Sequence, residues 1–156
     1  MASLYNKKLI LDLENKIQLK FTDKMILQRA ITHKSFSNEN TELSLRDNER
    51  MEFLGDSVLS IIISSYIFEH FPDYPEGELA KMRSVIVSEP ILALKAREIN
   101  LGNYLLLGKG EELSGGHNRD SILADAMEAL MGAIYLDMGI NITRKFVINL
   151  FREIIK

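Results

Sequence analysis

Cysteine, histidine and proline are scarce in this chain of 156 residues, which has no cysteine, three histidines and three prolines. Without cysteine, the chain has no disulfide, no thiolate metal site, no iron–sulfur cluster and no cysteine nucleophile. The histidines, at positions 33, 70 and 117, are far apart and form no HExxH or HxH pair. The sequence therefore argues against a histidine-rich metal site.

Long hydrophobic runs are also missing. The longest uncharged apolar stretch, residues 57–68, has 12 residues, whereas a membrane-spanning helix needs about 20. The first 16 residues contain lysines but no apolar segment long enough for a signal peptide. We therefore expect a cytoplasmic protein with no membrane partner.

A strong charge of either sign is absent as well, because 19 basic and 22 acidic residues give a formal net charge of −3. Nucleic-acid-binding domains are often basic, so this sum argues mildly against that class. The acidic excess is concentrated within residues 45–75. With 46 % hydrophobic and 26 % charged residues, the composition is that of an ordinary globular protein, and the length predicts a single domain over residues 1–156.

Few prolines and little strand-like alternation predict an all-α fold. We predict loops over residues 38–45 and 102–116, the latter containing five glycines. Two predicted helices are apolar nearly all round and are expected to be central and buried. The predicted helices cover residues 5–18, 24–31 (with Asp23 as the N-cap), 47–70, 78–87, 89–99, 119–138, and 141 or 143 to 155.

The two most apolar predicted helices both carry carboxylates. On the first, Glu49, Glu52 and Asp56 project within about 60° of one another at about 100° per residue. On the second, Asp125 and Glu128 are three residues apart and share a face. Buried ionised carboxylates are costly unless they are paired or bind a metal, and adjacent like charges add to that cost. The sequence therefore predicts a compensating cation beside these carboxylates.

The residues leave two kinds of cation open. One is a salt bridge from Arg50, Lys81, Arg83 or Arg119. The other is a hard divalent cation held by oxygen ligands, which favours Mg²⁺ or Mn²⁺. A di-iron centre is disfavoured because neither Glu52 nor Glu128 is followed three residues later by histidine.

Four sequence blocks then identify a family. NERMEFLGDSVL at residues 48–59 closely resembles the signature of ribonuclease III endonuclease domains. THKS at 32–35, PEGELAKMR at 75–83, and LGKGEELSGG followed by RDSILADAMEAL through residue 130 agree with the same family, in order. The resemblance covers about residues 27–139. It implies an all-helical homodimer that uses Mg²⁺, with Mn²⁺ as a substitute and no small-molecule cofactor.

The resemblance also implies a reaction. Such domains hydrolyse double-stranded RNA during RNA processing and leave 5′ phosphates with short 3′ overhangs. The motif match assigns metal binding to four carboxylates: Glu52, Asp56, Asp125 and Glu128. It assigns further acidic roles at the cleavage site to Glu49 and Glu76, and the catalytic set is Asp56, Glu128, Glu49 and Glu76. Once these six acids are set aside, the rest of the chain is slightly basic.

Substrate recognition by such a domain is expected to follow the shape of A-form RNA. Candidate phosphate contacts are Lys34, Lys81, Arg83, Lys109 and Arg119, each of which is alternatively a solvated surface charge. His33 lies in a family block, and two interpretations remain open for it, a helix-end hydrogen bond or an RNA contact. Phe53 is predicted to lie at the dimer interface, or alternatively to be an ordinary core residue.

The chain departs from the common bacterial pattern at its C-terminal end. Common bacterial members continue into a double-stranded-RNA-binding domain, which we expect to be absent from this chain, and an excised catalytic domain is favoured over a naturally short protein. Two further functions remain as alternatives. One is a non-cleaving RNA-binding or dimerisation module on the same fold, and the other is a helical bundle with structural acid–base networks.

Overall fold

The computed structural model describes residues 6–155, which form nine α-helices and three short 3₁₀ turns without a β-strand in that range. The all-α prediction is confirmed. The predicted helix start at residue 5 and both ends of the predicted domain lie outside the described residues. The helices are α1 (Lys7–Ile17), α2 (Lys24–Ala30), α3 (Lys34–Glu39), α4 (Glu49–His70), α5 (Glu76–Ile86), α6 (Glu89–Glu98), α7 (Lys109–Leu113), α8 (Asp120–Met138) and α9 (Ile140–Ile155).

Helix α8 is the centre of the fold. It packs against α2, α4, α6 and α9, with its most extensive contact to α4. Side chains on every side of α8 are inaccessible to solvent, including Leu123, Met127, Leu130 and Ile134. A helix that is apolar all round is stable only in such a central position, so the prediction of a buried second apolar helix is confirmed.

Helix α4 corrects the expectation that it too would be buried all round. One face, with Leu59 and Ile63, packs into the core, but Phe53, Ile61 and Phe68 are 79 %, 57 % and 72 % exposed. By length and composition alone α4 could cross a membrane, a weak signal because a core helix passes the same test. Hydrophobic periodicity cannot distinguish a core face from a face that binds a partner, which explains the incorrect prediction.

Two glycines allow α4 and α8 to approach each other closely. A Cβ atom on Gly55 would overlap the carbonyl group of Glu128, and one on Gly132 would lie 2.5 Å from the carbonyl oxygen of Met51. Both obstacles are backbone atoms, which cannot move without shifting a helix. The close crossing brings the first turns of α4 beside Asp125 and Glu128.

Substitution of Gly55 by alanine should therefore destabilise the domain. Overpacking of this kind costs about 1–3 kcal/mol or more, and we expect the melting temperature to fall by about 5 °C or more. Gly77→Ala on α5 is the matched control, since nothing lies within 4 Å of the added Cβ, and it should leave the melting temperature unchanged or raise it. Equal melting temperatures for Gly55→Ala and the parent would refute the close crossing.

Short helices occupy parts of the chain that were predicted as loops. Helix α3 and a 3₁₀ turn at Thr41–Leu43 extend into residues 38–45, and α7 lies within residues 102–116. These turns form because they dock on each other. The backbone nitrogen of Gly108 donates to Ser35 Oγ at 2.8 Å, and that of Lys109 donates to Glu39 Oε2 at 2.7 Å.

Candidate carboxylate site

A cleft of about 240 Å³ lies between the first turns of α4 and α8 and is flanked by α3 and α7. The close crossing of α4 and α8 brings Glu52 into it from one helix and Asp125 from the other. The remaining residues that line it are His33, Lys34, Asn48, Glu49, Glu111, Arg119, Ser121 and Ile122. The helices therefore bring together carboxylates that are more than 70 positions apart in sequence.

Glu52 and Asp125 interact with each other across this cleft. Partial burial, followed by the negative charge of Asp125 and a side-chain hydrogen bond with it, raises the pKa of Glu52 to about 7. Partial burial also raises the pKa of Asp125, although that hydrogen bond acts in the opposite direction. Raised pKa values at two neighbouring carboxylates mean that ionising both is unfavourable unless a cation compensates their charge.

Glu128 is the most strongly perturbed of the predicted carboxylates. Burial is the main cause, followed by the negative charges of Asp56, Glu52 and Asp125, and together they raise the pKa of Glu128 to about 8. The four carboxylates predicted as metal ligands therefore form one electrostatic cluster. Glu52 and Asp125 line the cleft, whereas Asp56 and Glu128 belong to the cluster without lining it. Titratable groups with perturbed pKa values at a cleft are a candidate functional site.

Salt bridges do not compensate the four carboxylates. Arg119 pairs with Glu111, Lys81 lies 4.0 Å from Glu78, and Arg83 donates to Ser64 Oγ at 3.1 Å. In the stretch from residue 6 to 155, none of Glu52, Asp56, Asp125 and Glu128 forms an ion pair. The salt-bridge interpretation is therefore wrong for this cluster. Glu49, in contrast, is exposed and has Lys34 Nζ at 3.5 Å.

The donor set fits a hard divalent cation, although the side chains are not gathered into a metal cage. Among the described residues, no group of three or more His, Cys, Asp or Glu side chains converges closely enough to hold an ion. Carboxylate oxygens are nevertheless the ligands that Mg²⁺ and Mn²⁺ prefer. A bound cation would lower the electrostatic cost of ionising these partly buried carboxylates.

The other predicted site residues divide between two places. Lys34 and Arg119 line the carboxylate cleft, and Lys109 begins α7 beside it. Lys81 and Arg83 lie on α5 and are exposed. Glu76, at the start of α5, lines a separate groove with Phe68 and Arg83, so one chain does not bring Glu76 to the carboxylate cluster.

His33 forms the helix-end hydrogen bond that was one of its two interpretations. Its Nδ1 accepts from the backbone nitrogen of Ser35 at 3.2 Å and caps α3. Burial is the main reason why the pKa of His33 lies below its usual value. A lone pair on Nδ1 is needed for this cap, so the lowered pKa and the hydrogen bond both favour neutral imidazole.

Sequence reasoning missed two residues that shape the cleft. Asn48 is buried, donates through Nδ2 to the carbonyl of Ala30 at 3.0 Å and so fixes the start of α4. Glu111 contributes the ion pair that holds Arg119 at the cleft wall. Asn48 could have been identified from its position as the first residue of the NERMEFLGDSVL block. For Glu111 the sequence offered no signal beyond its charge.

Comparisons with known proteins agree with this architecture. The sequence profile of the ribonuclease-III-like family matches residues 23–154. Ribonuclease 3 of Caldanaerobacter subterraneus is 54 % identical over 143 residues, which are 92 % of this chain and 62 % of the relative. Ribonuclease 3 of Treponema denticola is 47 % identical over 96 % of this chain and 60 % of its own length. The chain thus spans about three fifths of the length of these curated relatives.

A solved structure shows the same fold. The nuclease domain of ribonuclease III from Campylobacter jejuni superposes with a TM-score of 0.85 at 39 % identity, over 92 % of this chain and 96 % of that one. It is described as having structural flexibility in the region involved in dimer formation.

The fold and the cleft define an all-α domain whose two central helices present a compact acidic site. The chain belongs to the ribonuclease-III-like family. This family is generally Mg²⁺-dependent.

Proposed function

We propose that this chain is the catalytic domain of a double-stranded-RNA-specific endoribonuclease that acts in the cytoplasm in RNA processing. The observation that supports this proposal best is the cluster of four carboxylates at the α4–α8 crossing, in a chain of this family; burial raises the pKa values of Glu52, Asp125 and Glu128 within it. The products would carry 5′ phosphates and short 3′ overhangs.

The four clustered carboxylates would hold Mg²⁺, with Mn²⁺ as a substitute. When bound, the ion supplies an activated water and stabilises negative charge on the phosphate and on the leaving oxygen. Within this scheme Glu128, the most strongly buried member of the cluster, would orient the attacking water. Glu52, Asp56 and Asp125 would hold the ion together with it, and Glu49 and Glu76 are proposed as additional acidic residues of the cleavage site.

The RNA would be recognised by its A-form shape and its backbone. Duplex RNA displays 2′-hydroxyls in a wide, shallow minor groove, whereas its major groove is too narrow to be read. Lys34 and Arg119 flank the carboxylates and are proposed to contact phosphates near the cleaved bond. Lys81 and Arg83 on α5, together with Lys109, are proposed as contacts farther along the duplex.

We also propose that the domain acts as a homodimer through the exposed face of α4. Phe53, Ile61 and Phe68 lie within about 80° on this helix and leave three large apolar side chains facing solvent. A helix face that leaves several large apolar side chains exposed is typical of a protein interface. In a two-fold dimer it would pack against its own copy. Phe53 is next to Glu52, so the interface would adjoin the cleavage site.

Phe53→Ala should weaken this dimer. An aromatic anchor at an interface contributes about 2 kcal/mol or more to the free energy of association. In a two-fold dimer the substitution removes this anchor from both subunits, so we expect about a thousandfold weaker association. Sedimentation velocity over a range of protein concentrations measures this change. Leu113→Ala is the control, since Leu113 is 89 % exposed but lies on α7. A Phe53→Ala variant that dimerises like the parent would contradict the assignment of this face.

A substrate panel tests the proposed function. With Mg²⁺, the chain should cut a long perfect RNA duplex and leave both single-stranded RNA and duplex DNA intact. End-labelling of the products should find 5′ phosphates. A folded dimer that binds RNA duplex without cutting it would instead support a non-cleaving module.

A further inference from the structure

Three arginines meet in a second cleft that the proposed mechanism does not use. Arg29 on α2, Arg46 in the segment before α4 and Arg50 in its first turn line a cavity of about 490 Å³. The cleft lies farther along α3 than the carboxylates, since His33 and Lys34 at the start of α3 line the carboxylate cleft while Ser37 and Asn38, about one turn later, line this one. The two clefts therefore adjoin at the start of α4.

These arginines lack the acidic partners that three other arginines of the chain have. Arg97, Arg119 and Arg144 form ion pairs with Asp120, Glu111 and Glu69. In the part of the chain that the structure describes, no carboxylate oxygen lies within 4.0 Å of the guanidinium nitrogens of the cleft arginines. The three positive charges repel one another, so their clustering is electrostatically unfavourable even though the net charge of the protein is −3.

The acid in this cleft has another role. Asp47 Oδ1 accepts from the backbone nitrogen of Glu49 at 3.0 Å, and its carbonyl accepts from Arg29 Nε at 3.2 Å. Arg29 is partly buried, and burial together with the charges of Arg46 and Arg50 lowers its pKa, while the negative charge of Asp47 is the smallest influence and acts in the opposite direction. The positive charge is thus held in place and left available to a ligand.

The rest of the lining consists of hydrogen-bonding groups. Ser37, Asn38 and Thr41 contribute hydroxyl and amide groups. Ser37 Oγ is buried and has no hydrogen-bond partner among the described residues. Arginine, hydroxyl and amide donors around one cavity are the set that contacts phosphate oxygens in protein–nucleic acid complexes.

We propose that the cleft formed by Arg29, Arg46 and Arg50 binds a backbone phosphate of the RNA duplex next to the cleaved segment. The proposal rests on the proposed function and adds a positioning contact to it. The guanidinium groups would fix the register of the duplex, while the adjoining carboxylates act on a neighbouring phosphate. The same cleft chemistry would also accept free inorganic phosphate, so the experiment separates the two sources.

Arg46→Gln is the test variant because Arg46 is exposed and lies outside the helices. Duplex binding is measured by fluorescence anisotropy at several salt concentrations, in a Glu128→Gln background that prevents cutting. We expect about tenfold weaker binding at low salt. The slope of the logarithm of the binding constant against the logarithm of the salt concentration should be shallower by about one released ion. Arg46→Lys should keep most of the slope. Arg152→Gln, which removes an exposed charge on α9 whose guanidinium donates to Asn149 Oδ1, should match the parent.

Three results would overturn the proposal. If the background protein binds duplex and Arg46→Gln binds with the same affinity and slope, the arginine assignment fails while the proposed function stands. If inorganic phosphate alone raises the melting temperature of the parent more than that of Arg46→Gln while their RNA affinities agree, the cleft binds a free anion. If the background protein binds no duplex at any salt concentration, both the assignment and the proposed function fail.

Discussion

Glu128→Gln should reduce cleavage of duplex RNA by about a thousandfold, within the range of losses for a group that acts on a proton or a reacting water. Glutamine keeps the size and one oxygen of the side chain but removes the negative charge. Burial, followed by the negative charges of three other carboxylates, raises the pKa of Glu128 to about 8, so its ionised form is costly without a cation. The variant should stay folded, because Glu128 forms no ion pair within residues 6–155.

Glu69→Gln is the matched control for this substitution. Glu69 lies on α4, 17 positions beyond Glu52, which is about 25 Å along a helix, and its exposed side chain pairs with Arg144. Single-turnover cleavage by this control should equal that of the parent. If Glu128→Gln retains more than about a tenth of the parent rate, Glu128 has no part in the chemistry.

The second large effect is on stability. Mg²⁺ at about a hundred times its dissociation constant should raise the melting temperature by about 5 °C or more. The combined variant Asp125→Asn, Glu128→Gln should lose this gain. In EDTA near pH 8 the same variant should melt above the parent, because it no longer confines several negative charges in one cleft.

The pH dependence follows from the direction of the pKa shifts. Glu52 and Glu128 have folded-state pKa values of about 7 and 8, above the ordinary value of 4.5. At pH values between the ordinary pKa and these raised pKa values, the folded protein holds more protons than the unfolded chain. The metal-free domain therefore loses stability as pH rises from about 5 to 8. Protons and Mg²⁺ compete for the same oxygens, so the gain from Mg²⁺ should be small near pH 6 and largest above about pH 8.

Differential scanning fluorimetry in Mg²⁺ and in EDTA, across this pH range, measures both effects. The parent in EDTA should melt progressively lower as pH rises, and the combined variant should show a flatter profile. An equal Mg²⁺ gain in parent and variant would place the cation elsewhere. An equal gain near pH 6 and above pH 8 would show that the perturbed carboxylates are not its ligands.

Much of the fold could be predicted from the sequence because the long helices are strongly periodic or strongly apolar. The prediction for residues 119–138 matches α8 to within one residue, and Asp23 caps α2 as expected, its side chain accepting from Met25. Both signals are local. The short α7 was missed because its docking on Ser35 and Glu39 links parts of the chain about 70 residues apart.

The site shows the same division between local and distant information. Helical spacing placed Glu52 and Asp56 on one face, and Asp125 with Glu128 on another. The reason that these faces meet is the pair of glycines, Gly55 and Gly132, whose effect depends on which helix lies opposite. The partners of Arg119 and Lys34 could not be predicted either, because the pairing of exposed charges is decided by side-chain geometry in the folded protein.

Phe53 shows that apolar composition alone does not predict whether a residue lies in the core or at an interface. The run of apolar residues on α4 was compatible with a core or with an interface, and spacing alone could not choose. The structure leaves Phe53 exposed, which excludes the core interpretation for the single chain. The arginine cleft was not predicted at all, since Arg29 lies 17 positions before Arg46 and on a different element.

The most direct test of the central claim is cleavage of a long perfect RNA duplex by this chain at low salt, compared in Mg²⁺ and in EDTA. The account predicts short duplex products with 5′ phosphates in Mg²⁺ and intact substrate in EDTA. An intact substrate in both Mg²⁺ and Mn²⁺, with the protein folded and dimeric, would contradict it. Equal cutting in Mg²⁺ and in EDTA would show that the carboxylate cluster does not work through a divalent cation.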